Sequence, residues 1–235
     1  MKTNLLLPIA GNGQRFIDAG YKLPKPLIEI NGKTILDRSL EAVNIDNWNL
    51  IFIIREDHVK EHNLNLVLRS KYKDCKIVII PGLTEGALCT CLLAEELIDN
   101  DDPLMIFTPD CYFEPQIDPK KIDSFYDGLV CVFKSSSPAH SYVRMNQFES
   151  LVAETKEKEV ISDKAIGGLY YFKKGSTFVS NAKFMVENDM RTKGEFYIAP
   201  VYNLLIDRGK KIGIDKNTRH DILGTPEDLE KLKWK

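Results

Sequence analysis

Four short apolar runs punctuate the first 110 residues of the chain: Asn4–Ile9, Leu50–Ile54, Lys76–Ile80 and Leu104–Thr108. Each is too short for a core helix and is bounded by turn-forming or charged residues, which reads as a strand buried on both faces. Helical patterns lie between them. Thr34–Val43 puts Ile35, Leu36, Leu40 and Val43 on one face; His58–Tyr72 carries Val59, Leu66 and Leu68 more loosely; Glu85–Ile98 carries Leu88, Cys91, Leu92 and Leu97. Strands that alternate with helices must be joined by crossovers, and right-handed crossovers build a parallel sheet covered on both faces.

After residue 110 the rhythm changes. Gly128–Lys134, Ser141–Met145, Leu151–Thr155 and Leu169–Phe172 read as further strands separated by polar turns, and Lys211–Asp215 as a late one. Ser176–Asn188 and Tyr197–Arg208 read as helices. A last helix is expected at Thr225–Lys233, where Thr225 suits the N-cap, Pro226 the first helical position, and Glu227 and Asp228 the first turn. No repeat, low-complexity tract or long linker divides the chain. The expected fold class is α/β: a Rossmann-like, mixed and mainly parallel sheet flanked by helices, with a C-terminal lid portion.

Composition removes several classes of partner. Of the 235 residues 43% are hydrophobic and 28% charged, enough for a packed core, and the net charge of −2 gives no electrostatic case for nucleic acid or an anionic membrane. The five cysteines, Cys75, Cys89, Cys91, Cys111 and Cys131, form no repeated spacing, as expected of reduced thiols in a cytoplasmic enzyme. The N-terminal apolar run lacks the length and small-residue cleavage site of a secretory signal, and no stretch approaches the roughly 18 apolar residues of a membrane span.

The loop that ends the first run, Ala10-Gly11-Asn12-Gly13-Gln14-Arg15, lies where open α/β sheets bind ligands, beyond the carboxyl end of a strand. Gly11 and Gly13 allow backbone N–H groups to face a phosphate without a Cβ in the way, and Arg15 offers a fork of donors. A tight strand-to-helix connection would look the same. Two other phosphate motifs are excluded: Phe16 stands where a dinucleotide fingerprint needs its third glycine, and Leu27 where a Walker A loop ending in Gly32-Lys33-Thr34 needs its first. Pro24 and Pro26 stiffen the segment around Lys25, and Pro26 biases Lys25 toward an extended conformation. That aims an ammonium as a phosphoryl-transfer site requires, although a solvated lysine in a Pro-rich loop is the plain alternative.

Leu7–Phe16, followed by Pro24-Lys25-Pro26-Leu27 and Gly32-Lys33, resembles the opening of the sugar-1-phosphate nucleotidylyltransferases, whose sheet is Rossmann-like and similar to that of GT-A glycosyltransferases. Thr84-Glu85-Gly86-Ala87, Phe107-Thr108-Pro109-Asp110 and Asp221–Leu229 match further family segments in order, so the resemblance covers nearly the whole chain. It implies a single nucleotidyltransferase domain over 1–235, with residues 1–110 the nucleotide-binding half and 111–235 the acceptor-binding half. It implies that Ala10, Gly11, Asn12, Gly13 and Arg15 hold a nucleoside triphosphate, that Thr84, Gly86 and Ala87 border its base, and that Lys25 contacts the α-phosphate and the attacking phosphate. Asp110 and Asp221 would bind Mg²⁺; Lys158, Gly168 and Glu195 would border the sugar phosphate. The product would be an activated NDP-sugar of the kind used in surface-polysaccharide and capsule biosynthesis, and self-association of the chain is left open. The chain departs from the family pattern at Glu159, where the family has Pro, and by one extra residue between Asp221 and Gly224.

The reaction so implied is attack of a phosphate monoester on the α-phosphorus of a nucleoside triphosphate, with release of pyrophosphate. The nucleophile is already anionic, so positioning and charge neutralisation carry the catalysis. Other acceptors, such as a phosphorylated alcohol or amino compound, remain open. A related glycosyltransferase would usually carry Asp-x-Asp at the metal, whereas Asp110-Cys111-Tyr112 stands here; a non-catalytic nucleotide or sugar-phosphate sensor is the other alternative. His58-Val59-Lys60-Glu61-His62 matches a zinc-peptidase pattern, but no third ligand is evident.

Overall fold

The computed structural model describes residues 3–46 and 48–232. Its nucleus is four parallel strands, β1 (Thr3–Pro8), β4 (Trp48–Arg55), β5 (Lys76–Ile80) and β6 (Leu104–Phe107), in the order β6-β1-β4-β5. Side chains along each strand alternate between two cores. Leu6, Ile51, Ile53, Leu104 and Ile106 pack on one face, and Leu5, Leu7, Phe52, Ile54 and Met105 on the other, all fully buried. Both faces being apolar explains why these runs are continuous rather than alternating in sequence. A hairpin of β2 (Glu29–Ile30) and β3 (Lys33–Thr34) follows α1 (Gln14–Asp18). Helix α2 (Ile35–Leu40) opens with a capping box in which Thr34 and Asp37 bond each other's backbone N–H. Together with α4 (Leu64–Lys71) it covers one face of the sheet. The other is covered by α5 (Ala87–Leu92), α6 (Glu95–Ile98), α7 (Gly175–Glu187) and α8 (Val201–Asp207).

The second half extends the same sheet. β11 (Lys164–Phe172) lies antiparallel to β6 and carries β8 (Gly128–Lys134), β9 (Ser141–Met145) and, beyond β9, β10 (Val152–Glu157); β12 (Ile212–Lys216) pairs with β8 in parallel. A mixed, mainly parallel core flanked by helices is the architecture expected. Besides the two-residue β2 and β3, two longer strands escaped the sequence reading. β7 (Cys111–Glu114) and β13 (Arg219–Ile222) form a separate antiparallel pair from segments more than 100 residues apart, and neither is apolar enough to stand out alone. A final short helix, α9 (Pro226–Lys231), is capped by Thr225; Lys233, the last residue of the helix expected there, lies outside the described residues.

The helix expected over His58–Tyr72 is two, α3 (Glu56–His62) and α4, because Asn63 adopts a left-handed conformation (φ 52°) between them. In α3, His58 is buried with no hydrogen-bond partner on Nδ1, while Glu61 is exposed. Burial first, and the Arg55 guanidinium second, push the His58 imidazole below its ordinary pKa. The unfolded chain therefore binds a proton here more readily than the folded one, and this contribution to stability falls as pH drops below about 6.5. Acidification from pH 7 to 5 should lower the thermal midpoint, and His58→Phe should lessen that drop. An undiminished drop in the variant would assign the loss to other groups.

Candidate active site

The loop from Ala10 to Arg15 leaves the carboxyl end of β1 and turns into α1. Ile9 N donates to Ile53 O (3.0 Å), fixing the start of the loop to the neighbouring strand. Gly13 caps α1 with φ 65°, a conformation that glycine adopts without strain, and a Cβ there would lie 3.4 Å from Lys25 Cβ. At Gly11 a Cβ would meet no protein atom, so the protein itself places no steric demand for glycine there. Phe16 anchors the turn in a small core with Ile28, Ile35 and Leu223, which ties the loop to the C-terminal segment. Lys25 begins a 3₁₀ turn, Lys25–Leu27, rather than the extended segment expected from Pro26. The turn closes because Leu27 N donates to Pro24 O (2.8 Å) and Ile28 N to Lys25 O (3.2 Å), while Pro26 sits where no N–H is needed.

Lys25 Nζ lies 3.4 Å from Asp110 Oδ2 and 6.0 Å from the centre of the Phe16 ring. Asp110 is presented by an irregularity in β11. Between Ile166 and Tyr170 the register with β8 shifts, and Gly168, at φ 75°, turns its carbonyl to accept from Thr108 N (2.9 Å) and Thr108 Oγ1 (3.1 Å). A side chain at Gly168 would press on Thr108, with its Cβ 2.7 Å from Oγ1. Cys111 is buried, its Sγ donates to Gly167 O (3.2 Å), and burial holds its thiol well above the ordinary pKa. It is therefore a packing group and not an activated nucleophile.

Two cavities meet at Asp110. The first is walled by Gly11, Gly13, Arg15, Lys25 and Asp110, and the second by Arg15, Asp110, Gly168, His140, His220 and Asp228; Gly224 borders both. His220 stacks on Phe133 at 3.9 Å, and its imidazole is pushed down to about 4 by burial; burial also lowers His140. Both rings are neutral near pH 7 and present one donor and one acceptor each. Asp228 accepts from Thr225 Oγ1 (2.8 Å), and the space above Gly224 separates it from Asp110: a Cβ there would lie 3.7 Å from Asp228 Oδ2 and 4.0 Å from Asp110 Oδ2.

The structure does not bring Asp221 to this junction. His220 and Ile222 line the second cavity, so Asp221, between them on β13, faces away and pairs with Arg219 at 2.6 Å. Counting back from Gly224 without the extra residue gives Ile222, which leaves Asp228 as the carboxylate that faces Asp110. No sequence signal marked His140, His220 or Phe133, which come from separate segments. Asp228 was visible as a residue of the helix's first turn and within the Asp221–Leu229 segment, but in neither as a site residue.

Thr84, Gly86 and Ala87 form a separate turn. Thr84 Oγ1 donates to Gly86 O (2.9 Å), and Leu88 N and Phe196 N bond across to Phe196 O and Glu85 O. Gly86, at φ 132°, fits against the main chain of Phe196 so closely that a Cβ would fall 2.3 Å from Phe196 O. Arg191 bridges the same two segments through Glu85 (2.5 Å) and Gly194 O (3.1 Å). Lys158 and Glu195 meet at Tyr197: Lys158 Nζ donates to its hydroxyl, and Glu195 hydrogen-bonds the same side chain. The adjoining Glu157 carboxyl is raised by burial although Ser141 donates to it. Gly86→Ala should cost at least about 2 kcal/mol through strain and overpacking. Urea unfolding measures it, and wild-type stability would mean that the Phe196 segment can yield.

A Rossmann-like sheet with a glycine-rich loop, a lysine and a carboxylate converging beyond its parallel strands defines the nucleotidyltransferase class. No protein-family model matches the chain. It is 24% identical over 232 residues to the bifunctional protein GlmU of Methanococcus maripaludis strain C7, covering 94% of this chain and 51% of that protein. The chain thus spans about half the length of the curated relatives it matches. Among solved structures, the nucleoside-diphosphate-sugar pyrophosphorylase of Vibrio cholerae RC9 superposes with a TM-score of 0.84 and 26% identity, covering 96% of this chain and 98% of that one. The inositol-1-phosphate CTP transferase of T. maritima shares the fold, with a TM-score of 0.74 at 14% identity over 98% of this chain and 92% of that one. These similarities support a sugar-1-phosphate nucleotidylyltransferase family for the chain.

Proposed function

We propose that the chain transfers a nucleotidyl group from a nucleoside triphosphate to a sugar 1-phosphate or a related phosphate monoester, releasing pyrophosphate and giving an NDP-sugar suited to surface-polysaccharide assembly. The observation that carries this reading is the pair of cavities sharing Arg15 and Asp110, one beside the glycine loop and Lys25, the other lined by the neutral rings of His140 and His220 and by Asp228. A triphosphate in the first and a phosphate monoester entering from the second would meet between Lys25 and Asp110. Residues 1–110 then serve the nucleotide and most of 111–235 the acceptor, with Thr84, Gly86 and Ala87 beside the base.

In this reading backbone N–H groups of Gly11 and Gly13 and the Arg15 guanidinium hold the β- and γ-phosphates. Lys25 has three N–H donors and, among the described residues, a single long polar contact, to Asp110, so it can bind the α-phosphate and the incoming anion together. The second cavity orients the acceptor through His140, His220 and Asp228; Lys158, whose backbone N donates to His140 O, and Glu195 contact the acceptor's sugar phosphate in the same reading. The donor set suits Mg²⁺: Asp110 is a half-exposed carboxylate beside the phosphate site, and magnesium characteristically uses one or two carboxylates with substrate phosphates and water. Asp228 offers a second carboxylate across the space above Gly224; among the described residues no three His, Cys, Asp or Glu converge on one point. Mg²⁺ bound there would neutralise charge on the phosphates.

A matrix of four nucleoside triphosphates against hexose, hexosamine, inositol and amino-alcohol phosphates, with Mg²⁺ and read by pyrophosphate release, tests the reading. Release should occur with one base and one acceptor class, and a matrix without release overturns it. For the active pair, Lys25→Ala should lower kcat by about 10²- to 10⁴-fold with an unchanged circular-dichroism spectrum. Near-normal turnover would remove Lys25 from the chemistry.

A further inference from the structure

Behind the glycine loop lies a charged group that the proposed reaction has not used. Arg55 is the last residue of β4, level with Ile80 of β5, and is buried, 9% exposed. Its Nε donates to Asp57 Oδ1 (2.9 Å) and its Nη2 to Asp57 Oδ2, a two-pronged contact that fixes the plane of the guanidinium. Asp57 Oδ1 also accepts from His58 N (2.9 Å), so the carboxylate is itself held by the first turn of α3. The contact with Arg55 is the main reason the Asp57 carboxyl falls to about 2, so the pair stays ionised at any working pH. From this fixed position Nη1 reaches Asn12 Oδ1 at 3.2 Å.

Asn12 stands between Gly11 and Gly13, the two most permissive backbone positions of the loop. It is exposed, and without a tether this segment would sample many conformations, most of them unable to aim its N–H groups at one point. The tether comes from a residue 43 positions away on a strand that cannot move without the sheet. On the other side Asn12 Nδ2 donates to Gln14 Oε1 (2.6 Å), and Gln14 Nε2 to Asp18 Oδ1 (2.7 Å), which continues the restraint into α1.

We propose that Arg55 is a positioning residue for the nucleotide site: through Asn12 it fixes the glycine loop in its anion-accepting shape before the triphosphate arrives. The inference rests on reading that loop as the triphosphate cradle. Ordering the loop in advance removes an entropic cost from binding, so the benefit falls on affinity for the nucleotide and not on affinity for the acceptor. Lysine cannot take the place of Arg55, because one ammonium cannot hold both oxygens of Asp57 and reach Asn12 in a fixed plane.

The test uses the full chain and inorganic tripolyphosphate as probe, with affinity measured by calorimetry for wild type, Asn12→Ala, Arg55→Gln, Arg55→Lys and the Asn12→Ala/Arg55→Gln double variant. Each single variant should bind about 10-fold more weakly, and the double no more weakly than the worse single, as expected of two residues acting through one contact. In the transfer assay the KM for the nucleotide should rise while the KM for the acceptor holds. Asn12 is exposed, so its variant tests the tether even if an Arg55 variant unfolds. Additive losses, unchanged affinity in Asn12→Ala, or full rescue by Arg55→Lys overturns the tether while leaving the cradle in place. A wild-type chain that binds no tripolyphosphate removes the cradle and the tether with it.

Discussion

The site hangs on one interruption of a strand. β11 must pair with β6 through its second half and with β9 through its first, both on the same side, and a regular strand cannot serve both neighbours at that junction. The irregularity at Gly167 and Gly168 resolves the conflict. It frees the Gly168 carbonyl to take both donors of Thr108, and it opens the space in which the chain leaving β6 turns outward with Asp110. Bulges near active sites re-aim side chains in this manner. Here the bulge creates the gap between the parallel half of the sheet and its antiparallel extension, and both cavities open into that gap. Leu223 N donates to Asp110 O (2.7 Å), closing the gap from the C-terminal side and bringing Gly224 and Asp228 to it.

Much of this architecture was legible because its determinants are local. Three of the four parallel strands are buried on both faces and so appear as unbroken apolar runs; β5, at the sheet edge, is as apolar although Ile79 is half-exposed. Gly11, Gly13, Arg15 and Lys25 fall within 15 residues of one another and form one wall of one cavity. What stayed hidden was set by pairing at long range. β7 and β13 pair with each other and, among the described residues, with no other strand. The break at Asn63 depends on one left-handed residue within a pattern that otherwise continues as helix. The contact between Arg55 and Asn12 joins two segments with no shared sequence signal.

Asp221 shows how sharply a strand punishes a small error. A residue inserted before Gly224 displaces the motif by one position, and in a strand one position is the difference between the two faces. The acid then meets Arg219 on the face away from the cavity, and Ile222 lines the cavity in its place. The carboxylate across the gap from Asp110 is instead Asp228, held in place by the Thr225 that caps α9.

The contact of Gly86 with residue 196 has a consequence for how such sites diverge. The obstruction at Gly86 is the carbonyl and amide of Phe196, atoms that every amino acid possesses. No exchange at 196 can make room for a side chain at 86, so the two positions have no reason to vary together. A coupling that joins the turn of Thr84–Ala87 to the segment bearing Glu195 and Tyr197 would thus be silent in any comparison of covarying residues. It would survive in relatives only as an unexplained glycine.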